Sequence, residues 1–311
     1  MEIRQLKYFL SIIDFGSLSK AAGQLGIAQP ALSHQVASLE AEFGKPLLVR
    51  TPRGVTPTDA GRRLYRHART IIGQIEQARY DIMELEQEAG GTVSLGLPTS
   101  AAMVLALPIL THIRTQYPSI HLQLVEGLSG HLTELLANNR LDLAITFRDR
   151  AVKGINVEPL LEEDVFLATR SAEQLAPETS MDSVASLSFV LPSKSQSLRA
   201  LIDKAFARRG VELKIVAELD SLPTIRAAVA SGLGASMLPQ SALWPSHTAY
   251  NISLSLLTEP GMTRPIGLCR PEGRPPTPAS DIVADLTKRI AVDMVKRSVW
   301  GGTRLWSKAA S

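Results

Sequence analysis

The spacing of apolar residues predicts three short helices at the start of the chain. Residues 6–13 carry apolar side chains at helical intervals, and Gly16 ends that pattern. Ser17 is a suitable N-cap for a second helix, which Gly26 would end in a left-handed turn. Pro30 suits the first turn of a third helix, because proline lacks the amide that would be unpaired there. Short helices joined by such tight turns are typical of a helix-turn-helix.

A small hairpin is predicted directly after the third helix. Residues 46–57 place short apolar arms on both sides of a Thr-Pro-Arg-Gly turn, with proline and glycine at favoured positions. Arg50 and Arg53 would lie near the tip of this hairpin, or wing. We therefore expect residues 1–58 to form a winged helix-turn-helix domain.

One long helix is predicted over about residues 58–88, and we assign residues 59–89 to a linker and dimerisation segment. Its apolar residues recur at alternating steps of four and three, which is a heptad pattern that usually packs against another helix. We expect this seam to form a homodimer interface; the alternative is that the helix lies on its own domain. The seam consists of Leu64, Ala68, Ile71, Ile75, Ala78, Ile82 and Leu85.

The rest of the chain, residues 90–311, alternates strand patterns with helix patterns. This alternation predicts a mostly parallel sheet flanked by helices, arranged as two α/β units with a ligand cleft between them. Subdomain I would comprise about 91–162 and 266–296, and subdomain II about 163–265, with chain crossings near 161–165 and 263–268. The tail at 297–311 is basic and shows no pattern, so we expect it to be mobile.

Composition and charge fit a globular protein with a basic N-terminal region. Hydrophobic residues make up 45% of the 311 residues, and the single cysteine excludes an internal disulfide framework. The net charge is +3, but the arginines between residues 50 and 69 face only one acidic residue, Asp59, which fits a polyanionic partner. The longest apolar run, at 101–110, is shorter than the roughly 20 residues of a membrane span, and no leader pattern is present. We therefore expect a cytoplasmic protein without a membrane partner.

The sequence carries none of the common local motifs of enzymes or of metal sites. The sequence contains no HExxH, no G-x-S-x-G and no P-loop, and its histidines do not pair at metal-binding intervals. We expect no catalytic residue, no metal and no cofactor.

Polar residues instead cluster where predicted strands end and helices begin. Hydroxyls and helix N-terminal amides at such positions could bind a small anion in the cleft, although plain helix capping is the alternative. The candidate residues are Thr99, Ser100, Ser129, Thr146, Ser195 and Gln196.

Residues 6–61, "LKYFLSIIDFGSLSKAAGQLGIAQPALSHQVASLEAEFGKPLLVRTPRGVTPTDAG", resemble the N-terminal domain of LysR-type transcriptional regulators. The resemblance continues through the long helix and the following α/β region to about residue 296. The run "RTPRGVTPTDAG" followed by "LYRHARTII" is further similar to the nitrogen assimilation control subgroup.

The resemblance implies a multidomain α+β and α/β fold, with a periplasmic-binding-protein-like effector domain of two subdomains. It also implies that the third helix enters the major groove of promoter DNA, with Gln29, Pro30, Ser33 and His34 at the base edges. Arg50 and Arg53 on the wing would meet phosphate or the minor groove. Such a regulator is a homodimer or homotetramer, and RNA polymerase is a candidate partner.

The resemblance also implies that a small, anionic effector binds the cleft at the six polar candidates named above. The nitrogen-control subgroup is similar to regulators that act without a coinducer, which leaves open a cleft with no ligand. Two rival hypotheses remain from the residues alone. One is an α/β enzyme with a helical N-terminal hairpin, and the other is a solute-binding module that does not bind DNA.

Overall fold

The computed structural model of the protein describes residues 1–52, 54–83, 90–147, 153–171, 176–184, 186–258, 261–272 and 274–307. The chain forms two compact units. The first unit comprises Met1–Glu88 and Asn138–Arg140, and the second comprises Ala89–Ala137 and Leu141–Ser311.

The first unit contains three short helices, a two-stranded hairpin and a long helix. In chain order these are α1 (Ile3–Phe15), α2 (Leu18–Leu25), α3 (Gln29–Phe43), β1 (Leu48–Thr51), β2 (Gly54–Pro57) and α4 (Asp59–Met83). The predicted helix boundaries are confirmed: Gly16 and Gly26 have φ angles of 60° and 66°, and Ser17 accepts a hydrogen bond from the Lys20 amide. We call residues 3–57 the head.

The head owes its compact core to small residues at the helix contacts. Ala21 of α2 is fully buried beside Phe9 of α1 and Leu32 of α3 in one cluster of apolar side chains. The hairpin is tied to this core, because the Val55 amide donates a 2.8 Å hydrogen bond to the carbonyl of Gly16. A Cβ on Gly54 would lie 2.5 Å from that same oxygen, so the close approach requires glycine there.

The second unit contains eleven strands, five α-helices and two short 3-10 helices within the described residues. In chain order these are β3 (Gly91–Pro98), α5 (Thr99–Gln116), β4 (Ile120–Gly127), α6 (Ser129–Ala137), β5 (Leu143–Phe147), β6 (Ile155–Arg170), β7 (Glu178–Ser180), β8 (Ser188–Leu191), α7 (Ser197–Ala207), β9 (Lys214–Glu218), α8 (Leu222–Ser231), β10 (Ser236–Pro239), 3-10 helices at Gln240–Leu243 and His247–Tyr250, β11 (Ile252–Thr258), β12 (Thr263–Pro271), α9 (Pro278–Lys296) and β13 (Thr303–Leu305).

The prediction of a mostly parallel sheet is wrong. The main sheet has the order β4-β3-β5-β12-β6-β11-β7, with β10 and β13 also paired to β6. The parallel pairs are β3 with β4 and β5, and β7 with β11, whereas every pairing of β6 and β12 is antiparallel. The prediction relied on strands that alternate with helices along the sequence. It did not include β6 and β11, because each of these strands is followed directly by another strand. A separate parallel pair joins β8 and β9.

The long strand β6 belongs to both halves of this sheet. Its residues 155–164 pair with β12, and its residues 165–170 pair with β10 and β11. β6 and β12 therefore contain the positions where we predicted the chain crossings. β12 also contributes Arg264 to the lining of the cleft described below.

The C-terminal tail is not the patternless segment that we predicted. Residues 303–305 form β13, which pairs with residues 161–163 of β6, and the Trp306 amide donates to the carbonyl of Leu160. Trp300 is only 2% exposed and joins the core of the second unit. The tail docks because it combines this aromatic anchor with Arg304, which forms ion pairs with acidic side chains of β6. Residues 308–311 lie outside the described residues.

None of the described helices is both long enough and apolar enough to cross a bilayer.

Candidate DNA-binding and ligand sites

The exposed face of α3 lies next to the wing on the head. Leu32, Val36 and Leu39 turn the inner face of α3 into the core. Gln29, Pro30 and His34 are exposed on the opposite side, and Ser33 is half-buried beside them. The structure thus leaves the side chains of the predicted base-reading residues available for contact.

The wing arginine lies directly beside this face of α3. The Arg50 guanidinium donates a 3.0 Å hydrogen bond from Nη2 to the Ser33 hydroxyl oxygen, and Arg50 is itself exposed. The N-terminus of α3 has no side-chain cap, so the amides of Gln29 and Ala31 are available to an anion such as phosphate, whereas Pro30 has no amide hydrogen. Arg53 lies outside the described residues.

The long helix α4 is anchored to the head by a polar cluster. The Tyr65 hydroxyl donates a 2.5 Å hydrogen bond to Asp14 of α1, and Arg69 contacts both of these residues. Burial raises the pKa of Tyr65, and the hydrogen bond to Asp14 raises it further. The neutral phenol is therefore the form that holds α4 against α1.

The predicted dimer seam divides into two parts along α4. Leu64 packs against the core of the head and Ala68 has no exposed surface, so Ala68 cannot contribute to an interface with a second chain. This corrects the N-terminal part of the prediction, because the helix there covers its own domain. Further along, Ile71 and Ala78 are exposed, Ile75 is half-buried and Ile82 is 71% exposed. Leu85 lies outside the described residues.

A cleft with about 90 Å³ of internal space, partly open to solvent, lies in the second unit. Its walls are formed largely by apolar side chains, with Phe147, Leu222 and Ile225 among them. The helices α5, α6, α7 and α8 each contribute residues of their first turn to the lining. Its polar lining residues include Thr99, Ser100, Ser129, Gln196, Asp220 and Arg264.

Four of the six predicted ligand residues line this cleft. Thr99 and Gln196 are half-buried at its wall, whereas Ser100 and Ser129 are buried. The Ser129 hydroxyl is buried without a hydrogen-bond partner. The capping alternative does not account for the residues on α5 and α7, because neither helix has a side-chain cap at its N-terminus.

Two predicted ligand residues do not line the cleft. Thr146 is buried, and its hydroxyl lies 3.0 Å from the Cys269 sulfur. Ser195 is exposed, and its hydroxyl lies 2.8 Å from that of Ser193. The prediction is therefore wrong for both residues. In each case the adjacent residue lines the cleft instead: Phe147 beside Thr146, and Gln196 beside Ser195.

Arg264 is the cation of the cleft, and no pattern in the sequence predicted it. Its guanidinium is 5% exposed, lies 3.4 Å from the ring centroid of Phe147, and donates a 3.1 Å hydrogen bond to the Ser100 hydroxyl. Arg264 also donates to one oxygen of Glu163 at 2.8 Å and 2.6 Å. Burial lowers the pKa of Arg264, and the adjacent Glu163 carboxylate opposes that shift.

Glu163 accepts hydrogen bonds from three separate segments of the second unit. It has no exposed surface, and besides Arg264 it accepts hydrogen bonds from the Ser241 hydroxyl and from the Trp300 indole at 2.9 Å. Ser100 joins this network through Arg264. The acidic run at 162–164 was the only signal in the sequence, and it does not reveal which partners the fold supplies.

The acid in the lining of the cleft, Asp220, lies at an exposed position. Its carboxylate accepts hydrogen bonds from the amide and the hydroxyl of Ser193, at 3.0 Å and 2.8 Å. Among the described residues, no group of three or more histidine, cysteine or acidic side chains is arranged to hold a metal ion.

A winged helix-turn-helix head followed by an α/β unit is an arrangement found in DNA-binding regulators. The chain belongs to the LysR family of bacterial transcriptional regulators. Residues 3–62 match the bacterial regulatory helix-turn-helix protein, lysR family, and residues 86–290 match the LysR substrate binding domain.

Curated relatives support the predicted subgroup. The chain is 41% identical over 289 residues to the nitrogen assimilation regulatory protein nac of Escherichia coli, covering 92% of this chain and 94% of that protein. It is 42% identical over 272 residues to the nac protein of Klebsiella aerogenes, covering 86% and 88%. These relatives are transcriptional regulators and not enzymes, so the enzyme hypothesis is set aside.

Solved structures confirm the fold class. Full-length OxyR from Pseudomonas aeruginosa, solved as a single-residue variant, superposes with a TM-score of 0.76 at 21% identity, covering 99% of each chain. Full-length CbnR complexed with its target DNA has a TM-score of 0.65 at 21% identity, covering 93% of this chain and 100% of that one. The family match and the curated relatives show that the protein is a LysR-type DNA-binding transcriptional regulator.

Proposed function

We propose that the protein reads promoter DNA by placing α3 in the major groove, with the wing on the adjacent backbone. The observation that carries this proposal is the 3.0 Å hydrogen bond between Arg50 and Ser33, which holds a cation beside the exposed face of α3. CbnR, which has the same fold, has been solved in complex with its target DNA.

The residues of this surface have different roles in the proposal. Gln29, Pro30, Ser33 and His34 lie at the base edges and set the preferred sequence. Arg50 contacts phosphate, and we assign the same role to Arg53. A phosphate contact adds affinity on every duplex, whereas loss of a good base contact costs about 1–3 kcal/mol on the preferred site only.

The experiment compares Arg50→Ala with His34→Ala on two duplexes. Genomic fragments retained by the purified protein supply the preferred site, and a scrambled duplex of equal length serves as the reference. Fluorescence anisotropy over a range of salt concentrations should show Arg50→Ala weakening both complexes and lowering the salt slope by up to about 1. His34→Ala should weaken the preferred complex only.

The matched control is Arg208→Ala, which removes one exposed positive charge from the second unit. It should leave both complexes and the salt slope unchanged. If Arg50→Ala behaves like Arg208→Ala, the wing does not contact DNA. If His34→Ala weakens both duplexes equally, His34 does not read bases.

We further propose that two chains join through the exposed part of the α4 seam, at Ile71, Ile75, Ala78 and Ile82, with Leu85 extending it. An uninterrupted apolar stripe on a solvent-facing helix is typical of such an interface. The resulting homodimer, or a dimer of dimers, would span two half-sites of a promoter. A promoter-bound regulator of this kind acts in the cytoplasm, and RNA polymerase is its proposed neighbour on DNA.

The cleft of the second unit is proposed to bind a small effector through Thr99, Ser100, Ser129 and Gln196. The unpartnered Ser129 hydroxyl supports this assignment, because a buried polar group without a partner costs free energy unless a ligand or water satisfies it. The effector-binding domain of QuiR, a similar fold, has been solved in complex with shikimate.

A further inference from the structure

The charges that face the cleft are unusual for a site that binds a simple anion. Among the described residues of the lining, Arg264 is the one cation and Asp220 the one acid. The charge of Arg264 is already balanced by Glu163, whose carboxylate lies 2.6 Å from its Nη2. The lining therefore holds no spare positive charge, while the negative charge of Asp220 has no partner cation among the described ion pairs.

The inner end of the cleft nevertheless favours a negatively charged oxygen. Ser129 is 9% exposed, its hydroxyl has no partner, and it begins α6, whose first amides carry the positive end of the helix dipole. Thr99 begins α5 in the same lining, and that helix has no side-chain cap. Hydroxyls and free amides of this kind bind a carboxylate through several hydrogen bonds, without a full positive charge.

The outer part of the cleft favours the opposite charge. Asp220 is exposed, and the two hydrogen bonds from Ser193 fix the position of its carboxylate without neutralising it. A ligand that carried only a carboxylate would add a second negative charge to a lining that already has one. A ligand that also carried an ammonium group would form an ion pair with Asp220 instead.

We propose that the cleft binds a small zwitterionic amino acid with an apolar body. Its carboxylate would occupy the inner end at Ser129 and Thr99, its ammonium group would pair with Asp220, and its apolar body would contact side chains such as Ile225. This inference rests on the proposed effector role of the cleft and names the chemical class of its ligand.

The test measures binding to the full-length protein by isothermal titration calorimetry, with two matched series of probes. The first series is L-leucine, 4-methylpentanoate and 3-methylbutylamine, and the second is 6-aminohexanoate, hexanoate and hexylamine. Within each series, the first probe carries both charged groups, the second only the carboxylate and the third only the amine, on a similar apolar body. In at least one series, the zwitterion should bind at least tenfold more tightly than either analogue.

Two substitutions assign the two charges to their partners. Asp220→Asn should reduce the preference for the zwitterion over the carboxylate to within about twofold, whereas Ser129→Ala should weaken both of those probes. The matched control is Glu212→Gln, which removes an exposed negative charge from the same unit but outside the lining, and it should preserve the preference.

Several outcomes would overturn the zwitterion proposal. They are equal or tighter binding of the carboxylate analogue in both series, a preference that survives Asp220→Asn, and no binding of any probe. A carboxylate that binds and depends on Ser129 would overturn only the ligand class and would leave the effector role of the cleft standing. Binding that Ser129→Ala leaves unchanged would count against the cleft as the effector site itself.

Discussion

Replacing Glu163 by glutamine removes the negative charge from a carboxylate that has no exposed surface. The substitution keeps the size of the side chain and one oxygen that can accept from Trp300 and Ser241. It leaves the Arg264 guanidinium, 5% exposed, without its counterion, and it can place an amide donor against the N–H donors of Arg264. The second unit should therefore lose much of its stability.

The expected loss follows from the burial of both partners. Their side chains are 6% and 0% exposed, so solvent does not screen the charge that remains. Breaking a buried ion pair by removing one partner costs about 3–5 kcal/mol. With a denaturant dependence of roughly 3 kcal/mol per molar urea for a unit of this size, the unfolding midpoint should fall by roughly 1–1.7 M.

Tryptophan fluorescence during urea unfolding measures this loss selectively. Trp244, Trp300 and Trp306 are the only tryptophans of the chain, and all of them belong to the second unit. The unfolding of the head therefore contributes little to the signal, and the two units need not unfold together.

Glu162→Gln is the matched control, one residue away on the opposite face of β6. Its partner Arg304 is 49% exposed, so we expect a loss of at most about 1 kcal/mol. Adding Arg264→Met to Glu163→Gln should recover most of the stability, because it removes the buried cation that has lost its counterion. Equal midpoints for Glu163→Gln and Glu162→Gln, or no recovery in the double variant, would refute this reasoning.

Three further predictions concern the first unit. The raised pKa of Tyr65 means that its neutral form stabilises the unit below about pH 10 and that this contribution is lost as pH rises through the folded-state pKa. Tyr65→Phe should thus cost about 1 kcal/mol at pH 8 and make the alkaline loss shallower in thermal unfolding followed by circular dichroism; an unchanged profile would contradict this. Gly61→Ala should weaken DNA binding at least tenfold in anisotropy, because its Cβ would overlap the backbone oxygen of Leu47. Gly23→Ala is the control and should bind normally, because its Cβ would meet nothing within 4 Å. Equal affinities of the two variants would contradict this prediction. Ile82→Asp should yield monomers in analytical ultracentrifugation, because an ionised carboxylate is costly in an apolar interface, and a fully dimeric variant would exclude the seam.

The head could be predicted from the sequence because its determinants are local. The stops at Gly16 and Gly26, the cap at Ser17 and the turn before Gly54 each act within a few residues of their position. Small alanines such as Ala21 show their role in the sequence as well, since only close helix packing explains them at inward positions. Because these local signals agree with one another, the fold of this short segment can be predicted from its sequence.

The cleft could be predicted only in part, because the side on which a strand residue lies depends on its register. Thr146 and Phe147 are neighbours at the end of β5, and neighbouring residues of a strand point to opposite faces. A hydroxyl at the end of the strand was the natural candidate, yet Phe147 lines the cleft and Thr146 contacts Cys269. An error of one position exchanges a polar lining for an apolar one.

The same alternation of side chains along β6 explains how one strand contacts both the tail and the cation of the cleft. On β6, Glu163 points inward to Arg264 and Trp300, whereas its neighbours Glu162 and Asp164 both form ion pairs with Arg304 of the tail. Three consecutive acids would repel one another on a bare strand, and here the fold supplies a cation on each face. Because Trp300 and Arg264 share one carboxylate, the position of the tail and the orientation of the cation in the cleft are set by the same group. The partners of Glu163 lie 78 to 137 residues away along the chain, so no local pattern could have linked them.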